Sequence, residues 1–330
     1  MKKIFTLLVT ALMLTALFAG CSQKKNESSV SSVDMIRLGG LKGPTSMGMV
    51  KLLDDAEKNA TENKYEFTMA ASADELTPKL LKGELDIIAV PANLGSVLYN
   101  NSQGAVKTIA VNTLGVVYIL EKGGDSIKSL SDLKGKTIYA SGKGSTPEYT
   151  LKYLLQESGL DAENDVTIEW KNEPTEVVAQ MSSMDHAVAL MPQPFATVAQ
   201  TQLDDLRIAV DLTKEWDCLD NGSKCITASL IVRSDFASKN PETVKTFLEE
   251  YENSTEFVNV NVTEGANLVE KYDIIKAPIA EKAIPYCNIV CITGDKMKTS
   301  LSGYLEILYN LNPAAVGGKL PDDSFYQIYE

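Results

Sequence analysis

Leu81–Tyr99, LKGELDIIAVPANLGSVLY, carries the reading that decides the fold. Leu76, Leu80 and Leu81 fall at helical spacing just before it, and Gly83 ends that short helix. Leu85–Pro91 (LDIIAVP) is then apolar without alternation, as a strand buried on both faces must be. Ala92–Tyr99 returns to a helical pattern. Helix, buried strand and helix in succession imply an α/β chain whose parallel-rich sheet is covered on both sides.

The alternation extends outward in both directions. Upstream, Ile36–Leu41 (IRLGGL) reads as a strand, Met47, Val50, Leu53, Ala56 and Ala60 as a helix, and Tyr65–Ala71 as a strand. Downstream, Val106–Leu120 reads as one or two strands, and Lys122–Ser131 is a polar, glycine-containing break. Strands follow at Lys136–Tyr139, Val166–Trp170, Ala187–Met191, Arg207–Leu212 and Thr227–Arg233. Helices fall between them: one opened by Pro147, then Thr175–Met184 and Pro194–Thr201. From Pro241 the pattern is mostly helical, over Pro241–Thr263, Thr263–Tyr272, Pro278–Ala283, Asp295–Leu311 and Ser324 to the end. Periodicity alone supports two α/β domains.

Composition narrows the function. The 330 residues, 44% hydrophobic, are enough for a sizeable core and about two domains. A net charge of −13 argues against a nucleic-acid partner, which needs clustered Lys and Arg. A single histidine, His186, excludes a His-rich metal site, and it reads as an exposed or capping residue rather than a catalytic one. No cofactor and no catalytic constellation is expected. Arginine occurs only at Arg37, Arg207 and Arg233.

Residues 1–20 read as a lipoprotein signal peptide: Lys2 and Lys3, then an apolar stretch from Ile4 to Ala19 that is short for a membrane span. Leu17-Phe18-Ala19-Gly20-Cys21 resembles a bacterial lipobox and makes Cys21 the lipidation site. Residues 21–33 are Ser-rich and aperiodic, as a flexible tether is. Cleavage before Cys21 takes the charge from −13 to −15, and the diacylglyceryl group anchors an extracytoplasmic body to the membrane. Four cysteines remain, Cys218, Cys225, Cys287 and Cys291. They are open to two disulfides, simplest as 218–225 and 287–291, to a zinc site of unusual spacing, or to free buried thiols.

Candidate ligand contacts sit in loops that follow strands, where α/β sheets bind ligands. Gly43-Pro44-Thr45-Ser46 combines a permissive glycine, a proline suited to a first helical turn, and hydroxyls beside free N–H groups. Gly142-Lys143-Gly144-Ser145-Thr146-Pro147 repeats the design in the second half; it lacks the order of a P-loop. Asn93 and Gln193 also follow apolar strands and both donate and accept hydrogen bonds. Asn112–Gly115, near the chain's first passage between halves, is a further candidate.

Four segments in order carry a family likeness: Leu41–Thr45 (LKGPT), Leu81–Ala89 (LKGELDIIA), Ser129–Ile138 (SLSDLKGKTI) and Gly142–Pro147 (GKGSTP). With Met191-Pro192-Gln193-Pro194, they make the chain resemble the substrate-binding lipoproteins of ABC transporters, in the nitrate/sulfonate/taurine and thiamine-precursor group. The resemblance implies a bilobal type II periplasmic-binding-protein fold: two parallel-rich sheets flanked by helices, with a ligand cleft between lobes. It places lobe I at 34–117 plus 229–330 and lobe II at 118–228. It implies ligand contacts at Gly43, Pro44, Thr45, Ser46, Asn93, Ser145, Thr146 and Gln193. The implied ligand is a nitrate-, sulfonate- or taurine-like anion, or a thiamine-precursor-like heterocycle. The implied partners are a permease and its ATPase, and the implied state is a monomer. Alternatives are a ligand-sensing surface lipoprotein and a thiamine-pyrimidine-synthase-like enzyme; the cysteines here lack the clustering of that enzyme's iron motif.

Overall fold

Among residues 35–329, which a computed structural model describes, eleven strands form two mixed sheets. The expected signal peptide, the Cys21 lipidation site and the tether lie outside the described residues. The strands are β1 (Ile36–Leu41), β2 (Tyr65–Ala70), β3 (Ile87–Pro91), β4 (Val106–Leu114), β5 (Val117–Lys122), β6 (Thr137–Ser141), β7 (Thr167–Lys171), β8 (Ala187–Pro192), β9 (Leu206–Asp211), β10 (Ile226–Arg233) and β11 (Ile289–Ile292). The first sheet has the order β11-β4-β10-β3-β1-β2 and the second β7-β6-β8-β5-β9.

Each sheet is parallel where helices connect its strands. β1 pairs in parallel with β2 and β3, and β6 with β7 and β8. Every antiparallel pairing involves β4, β5 or β10, the strands that lead the chain between sheets. A strand arriving without a helical crossover is free to run against its neighbours, whereas a parallel neighbour needs the longer connection. Hydrophobic spacing does not encode that difference in direction, so the sheets are less uniformly parallel than the alternation suggests.

The apolar run at residues 85–91 is indeed sealed on both faces: Ile87, Ile88, Ala89 and Val90 are wholly buried. One core cluster reaches across both sheets, from Ile88 and Val90 through Val117 and Ile119 to Leu151 and Leu301. The first sheet's other face packs on Phe247 and Tyr251 of the helix Pro241–Val260. The second sheet's other face packs on the helices Pro174–Ser182 and Phe195–Gln202. Trp216 is buried between Tyr153 and Tyr304, with ring centroids 4.6 and 5.8 Å away.

Three expectations are corrected. The segment from Ser324 onward is not a helix: after a single turn at Asp323–Phe325, Tyr326 bridges Thr108 of β4, and Gln327 N donates to Thr108 O (2.9 Å). Phe325 is buried against Tyr99, and this aromatic anchoring holds the tail extended on the sheet. β11 is an added strand at the first sheet's edge, too short for its period to be read. Leu81 is exposed, while Leu76 and Leu80 carry the apolar side of their helix.

Candidate ligand-binding site

β1 delivers the chain to Gly43, whose φ of 122° and ψ of −159° belong to a region essentially reserved for glycine. The turn leads into the short helix Pro44–Met47. Thr45 Oγ1 donates back to Leu41 O (3.2 Å), and Thr45 O accepts from Asn112 Nδ2 (2.8 Å). Ser46 is 1% exposed and its hydroxyl has no hydrogen-bond partner. It fits only because residue 40 is glycine: a Cβ there would lie 2.2 Å from Ser46 Oγ.

The second sheet contributes Gln193, just after β8. Its N–H donates to Val116 O (2.8 Å), and its Oε1 accepts from Thr197 N (3.3 Å) and Thr197 Oγ1 (2.8 Å). Its Nε2 has no partner although the residue is only 2% exposed. Thr45 and Gln193 are thus fastened to residues 112 and 116 of one crossing segment, separated by roughly 13 Å of extended chain. Two of the predicted loops, one from each sheet, flank the passage from β4 to β5.

The helix Thr146–Glu157 begins near the same passage: Thr150 Oγ1 lies 3.9 Å from Cys225 Sγ, and Cys225 packs on Gly115. Its leading loop, expected to offer free donors, spends them on itself. Ser145 Oγ donates to Gly142 O (2.7 Å), Ser145 N to Gly142 O (3.2 Å) and Gly144 N to Glu148 Oε2 (2.5 Å). Glu148 is buried and pairs with Lys152 at 3.0 Å. Burial works to raise its pKa, but the Gly144 N–H and the Lys152 ammonium outweigh this and hold the carboxyl below its usual range. Thr146 is buried.

Asn93 uses its Nδ2 on Ala315 O (3.0 Å), and Ser96 Oγ holds Val316 O (2.8 Å), so both fasten the turn Pro313–Val316. Of the predicted polar side chains, Ser46, Asn112, Thr113 and Gln193 keep unpartnered atoms, whereas Thr45, Asn93 and Ser145 have donors committed within the protein. In the candidate stretch Asn112–Gly115, Thr113 Oγ1 on β4 is wholly buried and unpartnered; one group escaped the sequence reading, Ser229 Oγ on β10, which is also wholly buried and unpartnered. The only sequence signal of Ser229 is a hydroxyl within an apolar strand.

A cavity of 520 Å³ lined by Glu121, Lys122, Lys136, Tyr139, Met184 and His186 opens at the other ends of these strands. His186 lies seven residues before Gln193 along β8, roughly 23 Å away, and is exposed. This cavity is therefore separate from the loops that follow the strands.

All four cysteines are free thiols, so neither local disulfide is formed. Cys218 is exposed while Cys225 is buried; Cys287 packs in the core around Met47 and Val258, whereas Cys291 packs beside Leu248. Among the described residues no group of three or more His, Cys, Asp or Glu is placed to hold a metal ion. No helix among them is long and apolar enough to cross a membrane.

Comparison with solved structures fits this geometry. An ABC transporter protein from Parabacteroides distasonis superposes with a TM-score of 0.74 at 21% identity, over 90% of this chain and 100% of that one. The periplasmic aliphatic sulphonate-binding protein SsuA of Escherichia coli gives 0.68 at 18% identity, over 86% and 94%. This is the periplasmic-binding-protein fold. Residues 104–262 also match the family model described as NMT1/THI5 like. The ligand-binding component of an ABC-type import system from Staphylococcus aureus, solved with zinc bound, gives 0.66 at 14% identity, over 89% and 97%. No curated protein matches the chain. The resemblance read from the sequence thus holds for the fold, and the family-model match over residues 104–262 is consistent with the group it suggested; the solved proteins named here are described as an ABC transporter, a sulphonate-binding protein and the ligand-binding component of an import system.

Proposed function

We propose that this chain is the extracytoplasmic substrate-binding component of an ABC importer. It captures a small molecule between lobe I (34–117 plus 229–330) and lobe II (118–228), and hands it to a permease driven by a cytoplasmic ATPase. It is a monomer, held at the membrane by a lipid on Cys21, and it performs no covalent chemistry.

The observation that carries this reading is the pair of unpartnered, buried polar atoms, Ser46 Oγ from one sheet and Gln193 Nε2 from the other, beside a common crossing segment. A buried polar atom without a partner costs about 1–3 kcal/mol. A ligand that bonds to both recovers that cost and joins the lobes, so it favours the closed arrangement by its differential affinity.

The test is a thermal-shift screen of residues 34–330 against sulfonates, nitrate, thiamine precursors, other vitamins and amino acids. A ligand at 100 times its Kd adds about 2.7 kcal/mol of stability. Ser46→Ala and Gln193→Met should each weaken the response to any hit. Hits whose affinity neither substitution changes would refute this placement of the site.

A further inference from the structure

We infer that the molecule taken between the lobes is uncharged, a polar solute recognised through neutral hydrogen bonds; this rests on the binding-protein reading above. The first ground is the location of the arginines. Arg37 binds Asp86 through Nε (2.9 Å) and Nη2 (2.6 Å) at the start of β1, and Arg233 adds a contact to Asp86 at 3.6 Å from the end of β10. Arg207, at the start of β9, is paired with Glu121. In β1 and β9 the arginine is near the beginning, and β10 runs antiparallel to β3, so all three lie at the strand ends away from Ser46 and Gln193. Six residues separate Arg37 from Gly43, about 20 Å of extended chain, well beyond the reach of a guanidinium clamp.

The second ground is that several donors of these loops that could face an anion are already used. Ser46 N donates to Gly43 O (3.1 Å), Ser145 N to Gly142 O and Gly144 N to the Glu148 carboxylate. That carboxylate puts a negative charge where the second loop would otherwise meet one. Lys42 is paired with Asp273 at 2.8 Å on the surface, and Lys143 is exposed and acts on Glu148. A charge brought in here without a counter-charge is costly, whereas a neutral donor or acceptor is what an amide N–H and a hydroxyl can satisfy.

The experiment divides charge from neutrality without naming the ligand. A bacterial small-molecule extract is passed in series over strong anion- and cation-exchange resins, giving a neutral flow-through and an eluted ionic pool. The full chain is melted with each, and with 1 mM taurine, methanesulfonate or nitrate. The expected result is a rise of several degrees with the neutral pool alone, lost in Gln193→Met. A rise with the ionic pool or with any of the three anions overturns the neutral class and leaves the binding-protein reading standing. No rise under any condition overturns both.

Discussion

The fit between Gly40 and Ser46 can be measured as a coupling energy. Ser46→Ala removes a hydroxyl that is 99% buried and bonded to nothing, so the unliganded protein should be unchanged or up to about 1 kcal/mol more stable. Gly40→Ala does the reverse: its Cβ would lie 2.2 Å from Ser46 Oγ and 3.1 and 3.2 Å from two atoms of the Phe67 ring. Overpacking of this kind costs about 1–3 kcal/mol, only partly offset by the stiffer unfolded chain. In a Ser46→Ala background the shortest contact disappears and only the ring contacts remain, which a small shift of Phe67 relieves. The double variant should therefore be about 1–2 kcal/mol more stable than the sum of the singles. Urea unfolding of the four proteins of the cycle reads this directly. Additivity within about 0.5 kcal/mol would mean that the hydroxyl and residue 40 are not in contact, and would remove the account of why Ser46 sits unpartnered. Ligand affinity supplies the counterpart: Ser46→Ala should weaken binding while it leaves stability intact or higher.

Asp86→Ala should cost about 3 kcal/mol, because it strands Arg37 and the Arg37 N–H beside a site that is only 1% exposed, yet ligand affinity should hold; guanidinium unfolding and calorimetry check both halves. At pH 8 a thiol reagent should label Cys218 quickly, while burial pushes the Cys225 and Cys291 thiols up to about 12 and keeps them slow until the protein unfolds; two fast thiols, or a missing pair, would contradict the packing described. Hydrogen bonds from Lys271 and then Lys58 hold the Asp54 carboxyl below its ordinary range against the effect of burial. A carboxyl depressed in the folded state contributes stability above its unfolded pKa, near 3.9, and that contribution is lost as pH falls through the folded value. Stability should thus decline below about pH 4, and Asp54→Asn should flatten the decline in acid-titrated thermal melts.

What was legible in the sequence is what repeats. The buried β3 shows as an unbroken apolar run, and the βαβ units show as alternating periods. Strand direction at β4, β5 and β10 does not show, because a buried strand has the same pattern whichever way it runs. β11 is only four residues long, and the final aromatic segment borrows its order from β4 and Tyr99 rather than from its own period. At the site, sequence identifies residue types but not which side chains have already found partners. Thr45 and Ser46 are adjacent and similar, yet one hydroxyl is bonded to Leu41 O and the other to nothing. Ser229 was hidden for the opposite reason: it sits in a stretch whose neighbours announce only a strand.

The two sheets also differ in when they become possible. The second is built from one continuous stretch, residues 117–211, so everything it needs emerges from the ribosome together. The first needs β1 to β4 from residues 36–114, then β10 at 226–233, β11 at 289–292 and finally Tyr326, more than 200 residues after the Thr108 it bridges. Contacts of such long sequence separation form late. A chain in the course of synthesis therefore carries an incomplete first sheet, with the β4 edges that β10 and β11 will cover still open, until those later segments have been made. That delay keeps the nascent polypeptide short of its native state until residue 326 has joined β4.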